Sequence, residues 1–279
     1  MRLIDGRAIA TALRDQVAAE IARLGRAPVL AVVVPTSDEA TAWYVRSIQR
    51  TAARVGVDCQ LHQLIAPSAE SIAQCLAALS ADAEVDGIIC QTPLPPGVSL
   101  QAAGEHVEPG KDVDGASPVS LGRLAAGMTA FAPATAAAVL HILRSENVPL
   151  SGARAVVVGR STVVGKPAAL LLLAENATVT VCHSRTADLA SVCAQADVLV
   201  AAVGRAGLIG AEHIKPGAVV IDVGTNPGPD GSMLGDVDAA GTGAASALTP
   251  VPGGVGPVTT MTLMAHTVRA ATCRGRPGG

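Results

Sequence analysis

The segment Gly159-Arg160-Ser161-Thr162-Val163-Val164-Gly165-Lys166-Pro167 stands between an apolar run, Ala155 to Val158, and a helix-like one, Val164 to Glu175. Glycines at a strand-to-helix turn let the backbone approach a pyrophosphate, whose charge the helix N-terminus favours. Ser161 occupies the second glycine position of G-x-G-x-x-G, so this segment alone is a weak dinucleotide signal. The next run ends in Cys182-His183-Ser184-Arg185, where an acidic residue would read the ribose of NAD. Serine and arginine there, together with Arg160, suit a 2′-phosphate and hence NADP. A plain strand-turn-helix with solvated arginines is the competing reading. Ile221-Asp222-Val223-Gly224-Thr225-Asn226 has the form of a strand ending at a glycine turn, near where a nicotinamide would lie, although singly it is more often just a turn. Thr249 to Pro257 holds three prolines and three glycines in nine residues and feeds a helix, which over-determines a backbone shape that no simple loop requires.

Those turns need elements to position them. From Ala8 to Leu24, Ile9, Leu13, Val17, Ile21 and Leu24 step at helical spacing. Val29 to Val34 is an aliphatic run between two prolines, as in a strand buried on both faces. A helix is predicted from Glu39 to Val55, ended by Gly56, then a strand from Val57 to Leu64, a helix capped by Ser68 and running to Leu79, and a strand from Gly87 to Cys90. Thr92 to Pro96 must leave the sheet, because proline cannot donate to a ladder. Glu108 to Ser120 reads as a polar Gly/Pro-rich passage. After a helix opened by Pro133 the pattern restarts, with strands at 155–158, 178–182, 198–202 and 218–223, helices at 164–175 and 187–195, and a closing helix from Thr259 to Thr272. Alternating strands and helices imply α/β architecture with parallel sheets.

The 279 residues suit about two domains. With 49% hydrophobic and 15% charged residues, against about 25% charged in a typical chain, the protein has ample apolar material for a core. So few charges also suggest surface covered by a partner subunit. The net charge of −3 with no basic block speaks against nucleic acid. Only three of the 20 basic residues are lysines, Lys111, Lys166 and Lys215, and the only aromatic rings are Trp43, Tyr44 and Phe131. The six cysteines form no C-x-x-C pair and match no zinc spacing, so no metal site is expected. No run approaches the roughly 20 apolar residues of a membrane span, and a reduced cytoplasmic location is the expectation.

Seven motifs in order carry a resemblance: Tyr44-Val45, Gln91-Thr92-Pro93-Leu94-Pro95, Lys111-Asp112-Val113-Asp114-Gly115, the Gly159-Arg160-Ser161 loop, Ile221 to Asn226, Gly235-Asp236-Val237 and Pro252-Gly253-Gly254-Val255-Gly256-Pro257. From Ile4-Asp5-Gly6 to the last helix the chain resembles the FolD family of methylenetetrahydrofolate dehydrogenases/methenyltetrahydrofolate cyclohydrolases. The resemblance implies two α/β domains with a cleft between them. Residues 133–247 would form a Rossmann-type NADP-binding domain, and residues 1–132 plus 248–279 a folate-binding catalytic domain. It further implies a homodimer. Tyr44 would stack on the folate, Asp114 would pair with the amino-pyrimidine edge of the pterin, and Gln91 would hydrogen-bond within the catalytic cluster. Pro252, Gly253, Gly254, Val255 and Gly256 would line the folate site, while Gly159, Arg160, Ser161, Ser184, Arg185 and Thr225 would contact the cofactor.

One departure bears on mechanism. The family has a catalytic lysine four residues after the tyrosine, one helical turn away. Here that position is Ile48. Hydride removal rests mainly on positioning, whereas hydrolysis of the methenyl cation needs acid–base help worth about 10²–10⁴-fold. Dehydrogenation without efficient cyclohydrolase activity is therefore expected. Ala134-Thr135-Ala136-Ala137 replaces the family's Cys-Thr-Pro junction, Thr225 replaces an isoleucine, and His266 stands where asparagine is common, a histidine read as satisfied or solvated. Recruitment to a different substrate and an inactive folate-binding paralogue are the alternatives.

Overall fold

The computed structural model describes residues 1–275. In chain order the elements are β1 (Arg2–Leu3), α1 (Gly6–Leu24), β2 (Val29–Val34), α2 (Glu39–Val55), β3 (Asp58–Gln63), α3 (Ala69–Ala81), β4 (Gly87–Cys90), α4 (Leu100–Gly104), α5 (Pro118–Ala125), α6 (Ala134–Ser145), β5 (Arg154–Val158), α7 (Gly165–Ala174), β6 (Thr178–Cys182), α8 (Leu189–Cys193), β7 (Val198–Ala201), β8 (Val219–Asp222), β9 (Asn226–Pro227), β10 (Met233–Leu234), β11 (Ala247–Leu248) and α9 (Val255–Arg274). They sort into two compact units.

One unit comprises residues 12–134 and, among the described residues, 260–275. Its sheet has the parallel order β3-β2-β4. The aliphatic run in β2 occupies the centre, with Leu30, Ala31, Val32 and Val33 wholly buried, as the unbroken hydrophobic pattern requires. Ile72, Leu76 and Leu79 of α3 pack on Ala31, Val33 and Ile88, each buried leucine, isoleucine or valine contributing about 1.5–3 kcal/mol. Ser68 caps α3 in a reciprocal box with Ser71. Gly56 ends α2 in the left-handed conformation, its N–H donating to Ala52 O.

The other unit comprises residues 1–11 and 135–259, built on a sheet of order β1-β11-β8-β7-β5-β6 in which every pairing is parallel. β5, the first strand of the restarted pattern, lies between β6 and β7. Strand order therefore reverses at β5, the place where open α/β sheets bind ligands beyond their carboxyl ends.

Several sequence expectations shift. Pairing of β1 with β11, and of β11 with β8, ties the first residues and the 248–259 segment to the six-stranded sheet. The compact units thus divide differently from 1–132 plus 248–279 against 133–247, and the last four residues lie outside the described ones. α9 begins at Val255, earlier than Thr259, with Pro257 in its first turn, where the missing N–H has no partner to lose. α8 is shorter than the predicted 187–195 helix. The end of the passage read as polar loop, Glu108 to Ser120, is the start of α5, capped by Ser117 with Pro118 at its first position.

Candidate functional site

The phosphate-type loop is built from backbone. Gly159 follows β5 with φ +130°, and a Cβ there would overlap the Ala202 carbonyl at the end of β7. The chain can therefore cross between the two strands only as glycine. Ser161 Oγ accepts from Val164 N at 3.1 Å and Gly165 N at 3.3 Å, at the N-terminus of α7. At the end of the neighbouring β6, His183 N donates to Thr186 Oγ1 at 2.8 Å and Arg185 N donates to His183 Nδ1 at 3.1 Å. This knotted turn leaves Ser184 and Arg185 exposed, as Arg160 is after β5. Thr225 follows β8 in the same sheet. Gly159, Arg160, Ser161, Ser184, Arg185 and Thr225 therefore all lie just beyond carboxyl ends of parallel strands. A tight glycine crossing, a helix N-terminus and exposed guanidinium groups fit a phosphorylated dinucleotide.

Two buried carboxylates tie the remaining loops of this unit together. Asp236 accepts from Val203 N at 2.6 Å, Gly204 N at 3.0 Å, Arg205 N at 2.8 Å and Asn226 Nδ2 at 2.9 Å. Asp222 accepts from Gly224 N, Asp236 N and Val237 N at 2.9–3.0 Å. Burial pushes the Asp222 carboxyl up to about 6, against the pull of those backbone donors. The sequence marks both residues only as parts of strand-end motifs; their role as latches needs the fold. The Thr249–Pro257 loop also belongs here. Gly254 N donates to Pro250 O at 2.8 Å, and the loop packs so closely against Gly6 that a Cβ on Gly6 would overlap Gly254 O. Pro252, Gly253, Gly254, Val255 and Gly256 thus sit in the unit of the six-stranded sheet, not in that of Tyr44.

In the other unit, Tyr44 lies in the second turn of α2 and its hydroxyl hydrogen-bonds to Thr260 of α9. Burial and the Asp114 charge hold its phenol above the ordinary tyrosine range, so it is neutral at physiological pH. Asp114 is close enough to interact electrostatically with both Tyr44 and Cys90. Its carboxyl is pushed up to about 7 by burial first and the Asp112 charge second, while a hydrogen bond from Ala134 N opposes the rise. Gln91, at the end of β4, is 8% exposed, and the adjoining loop is tied to α2 by Thr41 Oγ1 donating to Thr92 O at 2.8 Å. Ile48, one turn beyond Tyr44, is wholly buried.

The sequence does not foretell the work of Lys111. It is 1% exposed, and its ammonium donates to the carbonyls of Leu79 (3.3 Å), Ser80 (2.6 Å) and Asp82 (2.5 Å) at the end of α3. Asp112 accepts from Ala116 N and Ser117 N, both at 3.0 Å, and from Ser120 Oγ at 2.6 Å, fixing the start of α5. Lys111 and Asp112, just before Asp114, do structural work, one at the end of α3 and the other at the start of α5. A lysine followed by alternating aspartates was the available signal.

A doubly wound sheet with such a first turn is the architecture of nicotinamide-dinucleotide domains. Residues 133–274 match the family model described as tetrahydrofolate dehydrogenase/cyclohydrolase, NAD(P)-binding domain, and residues 4–114 match its catalytic domain. The chain therefore belongs to the tetrahydrofolate dehydrogenase/cyclohydrolase family. It is 60% identical over 275 residues to the bifunctional protein FolD of Parafrankia sp. (strain EAN1pec), covering 97% of this chain and 99% of that one. The crystal structure of the bifunctional FolD enzyme from Campylobacter jejuni superposes with a TM-score of 0.95 at 34% identity, covering 98% and 99% of the two chains. The Trypanosoma brucei dehydrogenase-cyclohydrolase, solved with NADP and an inhibitor, gives 0.92 at 37% identity and covers 98% of each.

Proposed function

We propose that this chain oxidises 5,10-methylenetetrahydrofolate to 5,10-methenyltetrahydrofolate with NADP, and that its cyclohydrolase activity is absent or strongly impaired. The observation that carries the second part is the burial of Ile48. An alkyl side chain with no exposed surface, at the position where the family resemblance places a base, neither holds a water nor moves a proton. Lys111 is the only lysine of the unit containing Tyr44 among the described residues, and three carbonyls already hold its ammonium. The relatives named above carry the bifunctional name, so this chain would differ from them in one half-reaction.

Bound NADP would supply the hydride acceptor. The chain's own residues bind and orient: Gly159 and the α7 N-terminus would take the pyrophosphate, and Arg160, Ser184 and Arg185 the 2′-phosphate. Thr225 would line the dinucleotide site beyond β8. Tyr44 would stack on the folate, Gln91 would hydrogen-bond beside it, and ionised Asp114 would accept from the two pterin N–H donors. The Pro252–Gly256 loop would add backbone contacts to the folate. The same reading has the chain acting as a cytoplasmic homodimer, supported by its low share of charged residues and tested by sedimentation.

The test incubates the purified chain with methylenetetrahydrofolate and either NADP or NAD, following reduced nicotinamide and the methenyl product by absorbance. Methenyl product that accumulates and decays at the buffer rate is expected. Rapid enzyme-dependent decay would overturn the claim about Ile48, and no reduction of either nicotinamide would overturn the dehydrogenase. Ile48→Lys should restore measurable hydrolysis.

A further inference from the structure

His266 lies on α9 and is 9% exposed. Its Nδ1 is 2.8 Å from the carbonyl oxygen of Val113, the residue immediately before Asp114. A carbonyl can only accept, so the ring is the Nδ1–H tautomer and donates. The ring itself is held in place: Phe131 packs against it with centroids 5.2 Å apart, and the Arg269 guanidinium caps the other partner at 4.3 Å from the Phe131 centroid. Arg269 also donates to Ala130 O at 3.3 Å. One of only three aromatic rings in the chain is thus used to orient a histidine.

The turn that His266 grips is held on a second side by the same segment. Gly115 has φ +59°, and a Cβ on it would meet Phe131 O, Ala132 C and Pro133 N at about 2.5–2.6 Å. Ala134 N donates to the Asp114 carboxylate, and Gly115 N to Asp112 O at 2.9 Å. Residues 113–115 therefore run between the 131–134 segment and α9, with the Val113 carbonyl aimed at the one imidazole donor. Rotating that peptide would swing the Cα of Asp114 and turn its carboxylate.

We infer that His266 is a positioning residue for the folate reaction, its Nδ1–H fixing the Val113 peptide and through it the direction of the Asp114 carboxylate. This rests on the reading of Asp114 as the pterin contact. A carboxylate that must meet two N–H donors at once tolerates little rotation, so the effect belongs to folate affinity rather than to the dinucleotide.

The experiment compares the full-length wild type with His266→Leu and His266→Asn, measuring kcat, KM for methylenetetrahydrofolate, KM for NADP and Tm. The leucine variant should raise the folate KM about tenfold or more and leave the NADP KM within about twofold, the size of effect expected when a buried carbonyl loses its donor. Asparagine, which can offer an amide N–H to the same carbonyl, should return the folate KM to within about threefold of wild type. An unchanged folate KM in the leucine variant, an equal rise for both substrates, or asparagine behaving like leucine would overturn the inference alone. If the leucine variant does not fold, the asparagine variant decides: a near-normal folate KM supports the inference and a tenfold rise at unchanged Tm overturns it. A wild-type chain that neither oxidises nor binds methylenetetrahydrofolate overturns the functional reading and this inference with it.

Discussion

The loop after β5 and the turn around Asp114 are built by different means. The first is a run of consecutive residues whose N–H groups and absent side chains do the work, with Gly159 crossing Ala202 and Ser161 closing the α7 N-terminus. The second gathers side chains from α2, the end of β4, the 111–115 segment and α9, far apart in the chain. A site made of backbone tolerates exposed, ordinary charges around it. A site made of clustered carboxyls perturbs them: burial and the Asp112 charge push the Asp114 carboxyl up to about 7, while nothing in the β5 loop needs a comparable environment. The difference teaches where each site is vulnerable, one to added bulk and the other to changes of charge.

The largest expected effect is at Asp114. If Asp114 holds the pterin as proposed, Asp114→Asn should lower kcat/KM for the folate by about 10²–10³-fold, since it would remove the charge from both contacts and present a donor in place of one acceptor. The wild-type folate KM should itself rise as pH falls below about 7, where the carboxyl takes up its proton. Stability has the opposite sign. The folded carboxyl titrates well above the unfolded one, so the stability it lends is complete below pH about 4 and is lost as pH rises through 7. Asp114→Asn should accordingly melt a few degrees higher than wild type at pH 8 and show no gain at pH 4.

Next in size is Gly159→Ala. It places a Cβ on the Ala202 carbonyl in a conformation that L residues rarely adopt, and should weaken NADP binding about 10²-fold in fluorescence titration while leaving folate binding intact. A wild-type NADP affinity in this variant would break the contrast between the two sites. Lys111→Met should destabilise by about 2–3 kcal/mol in urea unfolding, because it removes a buried ammonium that holds three carbonyls at the end of α3, and should act on folate KM before NADP KM. The smallest effect is that of Ser161→Ala, about 1 kcal/mol in stability, the usual net value of a hydrogen bond lost from backbone N–H groups.

Much of the scaffold was legible in local pattern. β2 and β4 coincide with the predicted runs, and so does α2 with its terminating Gly56, because unbroken aliphatic stretches and helical spacing are local signals. α5 was missed because its cap and Pro118 sit in a passage whose composition reads as loop, and its stabilising partner, Asp112, is buried with it. The early start of α9 was masked by Pro257, which a first helical turn accepts. Among candidate site residues, Gly159, Arg160 and Ser161 follow β5, Ser184 and Arg185 follow β6, and Thr225 follows β8, all strands of one parallel sheet. The proline-glycine loop fell in the other unit from Tyr44, since the short strand β11 that anchors it has no periodicity to read.

The sequence by itself determined the alternation of strands and helices, the glycine turn after β5 and the apolar residue at position 48, all of which depend on neighbours in the chain. Only the tertiary structure decided that Ile48 is sealed from solvent, that Lys111 spends its charge on the end of α3, and that His266 holds the peptide before Asp114. Each depends on desolvation and on hydrogen bonds between residues distant in sequence, and those energies exist only once the chain has closed around them.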